Sequence, residues 1–597
     1  MACIHHDRFI PGLKKLTSSI QRYGAKIAAQ LYQAGRYTPS FIIRGTKPFS
    51  ASAVRSRLTG ETPRALRPEE ILEVENRFAD AALRAKVSGF DAVEILGSAG
   101  YLISQFLSPL TNIREDKYGG SLENRMRFGL EVAQKVRKTV GPDFPVIMRL
   151  AGNDFMKGGN RNQEAKIFAS ELEKAGIDIM SVTGGWHETR VPQLTSFVPA
   201  GSFSYLAQGI KSAVSVPVLA SNRINDPSIG ERILRNGESD LVGMARALIA
   251  DPDLPNKASA GKNRLIYHCV ACNQGCFDNI FAYKPVTCLV NPKAGMELEL
   301  KSTPATEPKK VLVIGGGPAG LKTAIIAAER GHIVTLVEKS DVLGGQILLS
   351  RLIPGKGEMI KAAEDLINNL ENQGINILMR TEADARFISQ TEPDVVVLAT
   401  GAEPVKPVIP GIDDKETLQA WDVLSGNAVL GKRVVIIGGN AVGLETALYI
   451  ANQGTLKPDS LHFLMINKAE PVDYLITSLD KGNKKVTVVE MAKQIGKDIG
   501  ASSRWTITGE LRRLGVKVMK NTKAIKVSPD GLEIQKSGTR ELVPADSIVI
   551  AVGAKPQRKL VELLKNLVPE FYIVGDAVKT RNAMEAIKEG FLAGLKI

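Results

Sequence analysis

From residue 26 to about 250 the chain alternates between short apolar runs and longer stretches whose apolar residues recur at helical spacing. The runs, rich in Val, Ile and Leu, predict strands at 26–31, 92–96, 146–150, 179–183, 216–221 and 241–245. Between them the 3.6-residue period predicts helices at 68–88, 121–140 and 162–175. Strands apolar on both sides suit a parallel sheet covered on both faces. Six successive βα units predict an α/β fold, a (β/α)8 TIM barrel two strands short. An open doubly wound sheet competes with it, but such a sheet normally begins with a glycine-rich turn, and none occurs here.

Beyond 250 the pattern changes. Residues 251–300 carry the cysteines, 301–310 (KSTPATEPKK) reads as a polar linker, and a strand at 311–314 opens a new α/β region. A similar strand is expected at 434–437, and blocks at 546–553 and 571–576 follow. This order predicts one Rossmann-like domain interrupted by another, with the chain returning to the first at its end. The expected division is a barrel over 1–255, a cysteine segment over 256–300, a first dinucleotide domain over 301–430, a second over 431–550 and the return over 551–597. Residues 451–483 delay the second strand of the inner domain and read as an insertion.

At 597 residues the chain is too long for one core. No apolar stretch approaches the roughly 18 residues of a spanning helix, and the first residues have no apolar signal segment, so the expected compartment is the cytoplasm. The net charge of +14 admits nucleic acid, an anionic membrane or phosphorylated ligands. Basic residues are dispersed, however, and only 5% of residues are aromatic, which argues against nucleic acid. Phosphate-bearing cofactors, with ordinary surface charge, account for the excess. A small-molecule substrate is expected, and a homo-oligomer is neither required nor excluded.

Four of the five cysteines form the pattern Cys269-x2-Cys272-x3-Cys276-x11-Cys288. A [4Fe–4S] cluster needs four converging thiolates, and closely spaced loop cysteines supply them. Tetrahedral zinc is the alternative, although structural zinc usually uses paired CxxC knuckles and there is one here. Cys3 reads as a free thiol.

Gly315-Gly-Gly317-Pro-Ala-Gly320 follows a strand and opens a helix. The first glycine makes the turn, the second admits a pyrophosphate and the third lets helix and strand pack. Glu338 ends the next strand, where a ribose hydroxyl is bound. Gly344-Gly345-Gln346, Thr400-Gly401 and Gly575-Asp576 follow in the order of a two-dinucleotide flavoprotein, which predicts FAD. The second turn, Gly438-Gly-Asn-Ala-Val-Gly443, has Asn440 in place of the middle glycine, so a side chain is expected to narrow the approach to the pyrophosphate. Glu490 ends the following strand and favours NADH over NADPH, because an acid repels a 2′-phosphate.

In the barrel, Gln30 and Arg149 lie at the C-terminal ends of strands, where barrel active sites are built. Arg149 is suited to charge on a reduced flavin and Gln30 to a pyrimidine edge, but either also fits an ordinary polar cap. Tyr101 and His187 fall in loops at the same face and make a proton donor with its partner.

The chain resembles the 2,4-dienoyl-CoA reductase branch of the old yellow enzyme relatives, which includes trimethylamine dehydrogenase. The resemblance rests on Gln30-Leu-Tyr-Gln-Ala-Gly-Arg36, Gly100-Tyr-Leu-Ile-Ser-Gln-Phe-Leu107, Tyr118-Gly-Gly-Ser-Leu-Glu-Asn-Arg125, Gly185-Trp-His-Glu-Thr-Arg-Val-Pro192, Ser221-Asn-Arg-Ile-Asn-Asp226, Gly243-Met-Ala-Arg246 and Cys272-Asn-Gln-Gly-Cys276. It implies FMN at the barrel mouth touching Gln30, Arg149, Ala245 and Arg246, the last two near its phosphate. A [4Fe–4S] cluster lies nearby in that family, with FAD and NAD(P)H in the other domains. The resemblance also implies Tyr101 as proton donor and His187 as its helper. Three departures stand out: Gln33 replaces a His found in many relatives, Asn440 breaks the fingerprint, and 451–483 resembles an insertion in anaerobic relatives that act on enoyl-, aryl- or bile-acid-CoA thioesters.

The expected activity is NADH-dependent reduction of an activated C=C bond in a CoA thioester, with electrons passing from NADH through FAD and the cluster to FMN. An amine dehydrogenase, or an FAD/NADH electron-transfer fragment without substrate chemistry, is the competing expectation. Residues 1–10 are too short and polar for two strands. The pattern therefore predicts an N-terminally incomplete chain that lacks the first two barrel strands and holds FMN weakly.

Overall fold

Along Val146–Ala151, Val146, Met148 and Leu150 are enclosed while Ile147, Arg149 and Ala151 stay partly open, so one side of the strand is apolar and the other carries chemistry. This is β3 of a six-stranded parallel sheet in the computed structural model, which describes residues 3–413 and 417–597. Its companions are β1 (Ala28–Leu31), β2 (Ala92–Gly97), β4 (Ile179–Thr183), β5 (Val218–Ala220) and β6 (Leu241–Val242), arranged in chain order. Helices α1 (Ile10–Gln21), α2 (Pro68–Val87), α3 (Leu122–Val140), α4 (Asn162–Lys174), α5 (Ser204–Lys211) and α6 (Pro227–Arg235) complete the βα units. Among the described residues β1 pairs only with β2 and β6 only with β5, so the sheet does not close on itself.

The ends of some strands differ from the hydrophobic pattern. Pro217 has no N–H to donate, so β5 begins at Val218 and not at 216. The strand expected over 241–245 stops at Val242, and Ala245 opens helix α7 (Ala245–Ala250).

Two compact units result, Met1–Leu194 with Val198–Met244, and Thr195–Phe197 with Ala245–Ile597. The second contains two five-stranded sheets. One is built from β7 (Lys310–Ile314), β8 (Ile333–Val337), β9 (Asn376–Leu378), β10 (Val395–Leu398) and a final strand, Glu570–Ile573, in the spatial order β9-β8-β7-β10 and then that strand. Val311 and Val313 feed one core and Leu312 and Ile314 another, because alternate residues face opposite sides of a sheet covered twice. The other sheet comprises β11 (Thr417–Gln419), β12 (Arg433–Ile437), β13 (Lys485–Val489), β14 (Lys517–Met519) and β15 (Ser547–Ile550), ordered β11-β15-β12-β13-β14. The final strand of the first sheet is then β16, and the chain does return to that sheet at its end. Helices α8 (Pro318–Glu329) and α9 (Ala441–Ala451) follow β7 and β12. Residues 451–483 form two short helices, Pro458–Ile466 and Val472–Asp480, on which Phe463, Ile466 and Tyr474 stay exposed. Among the described residues no helix is long and apolar enough to cross a membrane.

Candidate functional site

In the first unit the C-terminal halves of the strands carry a polar row. Gln30 Nε2 donates to Glu94 Oε2 at 2.5 Å, and Arg149 Nη1 lies 4.0 Å from Glu94 Oε1. Arg149 also donates to Ser181 Oγ at 3.1 Å and Ser221 Oγ at 3.4 Å. The pairing of β1 with β2 sets Gln30 opposite Glu94. Glu94 thus links two residues that the sequence singled out separately. A carboxylate inside the apolar run Val93-Glu-Ile-Leu96 was the available signal.

Beyond the strand ends Tyr101 and His187 meet, with His187 Nε2 and Tyr101 Oη 3.1 Å apart. The loop after β2 turns through Ala99 and Gly100, both with positive φ. A Cβ on Gly100 would lie 2.6 Å from Tyr37 Oη and 2.7 Å from the Trp186 ring, so only glycine allows this close packing. Burial raises the Tyr101 phenol above its ordinary pKa, and the nearby Tyr32 adds to the effect. His187 keeps an exposed edge, yet the surrounding loops desolvate its ring and hold it below the ordinary imidazole value, while Glu188 opposes that shift. The phenol is therefore protonated and the imidazole neutral at pH 7.

Aromatic rings surround this pair. Tyr32 and Tyr37 pack edge-on against Tyr101 at 5.3 and 6.1 Å, and Tyr37 packs against His187 at 5.6 Å. Trp186 is buried and donates to Asp154 Oδ1 at 2.9 Å. Beneath them Arg36 Nη2 and Glu188 Oε2 form a 2.5 Å ion pair with side chains 3% and 4% exposed. Glu188 also accepts from the Arg57 N–H at 2.8 Å and Ser56 Oγ at 3.2 Å. Gln33 accepts from the Gly35 N–H of its own loop at 3.1 Å.

In the second unit Cys269, Cys272, Cys276 and Cys288 form no disulfide and line one cavity together with Arg246. Burial raises the Cys272, Cys276 and Cys288 thiols, and neighbouring thiols push each further up. Among the described residues no three His, Cys, Asp or Glu side chains are placed to hold a single metal ion. The four thiols face one cavity, which is the convergence that a thiolate-held metal centre needs. Ala245 and Arg246 open α7, where Arg246 Nη1 donates to Asn273 Oδ1 at 2.9 Å.

The two glycine-rich turns share one geometry. Gly315 and Gly438 both have φ of 112°, and a Cβ on either would strike a carbonyl oxygen, of Ala399 at 2.4 Å or Ala551 at 2.3 Å. A Cβ on Gly320 or Gly443 would meet the Gly315 or Gly438 oxygen at 2.0 Å, which is the close helix–strand packing the motif requires. Gly317 faces open space within 4 Å. Glu338 accepts from the Gly316 N–H at 2.7 Å, and Glu490 from the Gly439 N–H at 2.6 Å. Around the first turn, Gly345 approaches Gly317, Gln346 Nε2 reaches Asp576 Oδ2 at 3.4 Å, Thr400 Oγ1 donates to the Gln557 carbonyl at 2.8 Å, and Gly575 lies against Ala319. Gly401 has a φ of 72° and faces Gln346.

Asn440 departs from the expectation that it narrows the second turn. Its backbone is extended, and its side chain accepts from the Gly443 N–H at 3.1 Å and donates to the Ala551 carbonyl at 2.9 Å. It is a helix N-cap turned to the protein's own backbone. A different group lies at the helix start: the Asp498 carboxylate, 3.0 and 3.1 Å from the Ala441 N–H.

Two family descriptions match the chain: the NADH:flavin oxidoreductase / NADH oxidase family over residues 1–264 and pyridine nucleotide-disulphide oxidoreductase over 309–590. A metal reductase of Desulforamulus reducens is 48% identical over 100% of this chain and 90% of its own length. An NADH oxidase of Thermoanaerobacter brockii is 37% identical, covering 99% and 88%. The solved complex of 2-naphthoyl-CoA reductase with 2-naphthoyl-CoA is 35% identical with a TM-score of 0.91, covering 100% of this chain and 88% of that one. With both domain types in sequence and relatives matched along its whole length, the chain belongs to the NADH:flavin oxidoreductase / NADH oxidase family and is an NAD(P)H-dependent flavin oxidoreductase.

Proposed function

We propose that the chain is an NADH-dependent reductase of an activated C=C bond in an enoyl-, dienoyl- or aryl-CoA thioester. The observation that carries this reading is the 3.1 Å Tyr101–His187 pair beyond the strand ends of the barrel sheet. The likeness to 2-naphthoyl-CoA reductase supports the thioester. FMN would be held by Gln30 and Arg149, with Ala245 and Arg246 at its phosphate, and a [4Fe–4S] cluster by Cys269, Cys272, Cys276 and Cys288. FAD would lie on Gly315, Gly317 and Gly320, with Glu338 at its ribose and Gly345, Gln346, Thr400, Gly401, Gly575 and Asp576 completing the cradle. NADH would bind over Gly438 and Gly443 with Glu490 at the adenosine ribose. When bound, these groups would supply hydride and single-electron transfer, in the order NADH, FAD, cluster, FMN, substrate.

The chain's own residues then manage the proton. Tyr101 gives its phenolic proton to the carbon α to the thioester carbonyl, and a neutral His187 supports the resulting phenolate. Tyr101→Phe should leave NADH-dependent flavin reduction intact and lower product formation by roughly 10²-fold or more. Unchanged turnover would remove Tyr101 from the role. The raised phenol loses its proton only above about pH 10, and the lowered imidazole gains one only below about pH 6.5. Turnover should therefore stay level between these limits, as a pH–rate profile would show.

The rings of Tyr32, Tyr37 and Tyr101 favour a second reading, an amine dehydrogenase with an aromatic cage for a cation. Here the rings pack edge to face on one another, and Tyr37 is buried among them. Anaerobic assay separates the two readings: NADH oxidation stimulated by enoyl- or aryl-CoA thioesters supports reduction, whereas flavin bleaching by methylated amines alone supports oxidation.

Glu490→Gln keeps the acceptor for the Gly439 N–H and removes the charge. A charge term of roughly 1–4 kcal/mol at 4 Å implies that the preference for NADH over NADPH narrows at least about fivefold. Relative kcat/KM for the two nucleotides measures this, and a wild type faster with NADPH would show that the acid does not read the ribose.

A further inference from the structure

Helix α10 (Ala501–Arg513) links β13 to β14, and among the described residues β14 pairs with β13 alone, so the sheet ends there. Between this helix and the edge strand lies an open groove of about 680 Å³. The helix contributes Arg504, Trp505, Thr508 and Arg512, whose spacing places them on one face. Val516, Val518 and Lys520 take alternate positions along the strand and its flanks and so share one side.

The groove combines an apolar floor, one indole and three cations, and no Asp or Glu lines it. Arg504 donates to the Gly496 carbonyl at 3.4 Å. Arg512 and Lys520 are exposed and have no carboxylate partner among the described residues. Trp505 is 42% exposed, and no other ring among the described residues packs against it. The surrounding sequence is strongly basic. Residues 491–523 hold eight Lys and Arg against two acids, a net +6 of the chain's +14. Both acids are already engaged, Asp498 at the Ala441 N–H and Glu510 with Arg513.

This groove is distinct from the second glycine-rich turn, because no residue of 438–443, nor Glu490, lines it. It shares with that turn only the loop after β13, through Gln494 and Ile495. Its volume is that of a small-molecule site, for which roughly 300–1,000 Å³ is usual. An inorganic anion would leave the indole and the valines unused, and an apolar ligand would leave three charges unused. A ligand with a planar ring and several negative charges uses both.

We propose that the groove binds a phosphorylated nucleoside, its base against Trp505 and its phosphates among Arg504, Arg512 and Lys520. A free nucleotide and the nucleotide end of CoA share this chemistry.

The test is isothermal titration calorimetry of the flavin-loaded full chain, with ADP, CoA and inorganic phosphate as separate probes. Phosphate should bind at least about fivefold more weakly than the better nucleotide, because it has no base to stack. Arg512→Gln and Lys520→Gln change exposed side chains, and each should weaken nucleotide binding at least about tenfold. Trp505→Leu should weaken it at least about fivefold. In all three variants the KM for NADH should stay within about twofold, since the groove lies outside the second turn. CoA bound more tightly than ADP would identify the nucleotide end of CoA as the occupant, and the reverse a free nucleotide; either supports the inference. Nucleotide affinity lost in Glu490→Gln but unchanged in the groove variants would place that binding at the second turn and overturn it. Phosphate bound as tightly as ADP and CoA, or no binding of either nucleotide, would also overturn it.

Discussion

Cys276→Ala should abolish electron transfer from NADH to substrate while NADH still bleaches the flavin. Cys276 is the N-cap of the short helix Phe277–Phe281, and its thiol lines the cavity shared with the other three cysteines. Burial raises this thiol, and the Phe277 N–H and the Arg246 guanidinium counter the rise. The site thus has a cation and a backbone donor ready for a thiolate, which is the form that ligates metal. Removing one of four ligands should break the path at that point and leave the glycine-rich turns untouched. Stopped-flow bleaching of flavin beside steady-state product formation measures both halves. Wild-type protein prepared without oxygen should contain about four irons per chain. Stoichiometric zinc in place of iron, or full turnover in the variant, would contradict the assignment.

The second large effect concerns stability. Arg36→Met leaves the Glu188 carboxylate enclosed with neutral donors alone, the Arg57 and Leu58 N–H groups and the Ser56 hydroxyl, and breaking a buried pair from one side costs about 3–5 kcal/mol. Arg36→Met/Glu188→Leu removes both charges and should recover most of that loss. Thermal unfolding followed by Trp186 fluorescence would report it, since Arg36 lies 5.8 Å from that ring. A double variant as unstable as the single would show that the pair's hydrogen bonds, not its uncompensated charge, dominate. Because Glu188 adjoins His187, the same change should also loosen the proton-donor pair.

How much of this was legible in the sequence follows from how local each feature is. The glycine-rich turns could be read because φ of 112° and a carbonyl within 2.4 Å of the missing Cβ restrict such positions to glycine. The six strands could be read from their apolar runs, but their ends could not, since Pro217 and the helix at Ala245 trim them through backbone hydrogen bonding. Tyr101 and His187 could be paired because both follow strands of one parallel sheet. Tyr32, Tyr37 and Trp186 could not, because only the packing around Gly100 brings their loops together. The partner of Arg36 lies 152 residues away at Glu188, a separation that no periodicity records. The orientation of Asn440 is illegible for the same reason, since its side chain bonds Ala551, which is far along the chain.

The two glycine-rich turns differ in one respect that bears on residence time. The first helix starts with Pro318, which has no N–H, and the space over Gly317 is open. The second starts with Ala441, whose N–H is already taken by the carboxylate of Asp498. A pyrophosphate at the first turn would meet no internal competitor there, whereas one at the second would exchange with the Asp498 carboxylate. Exchange lowers net affinity and hastens departure, because the departing ligand is replaced by a tethered competitor at high effective concentration. The first turn suits a tenant that stays through many cycles, the second a visitor that must leave after each one.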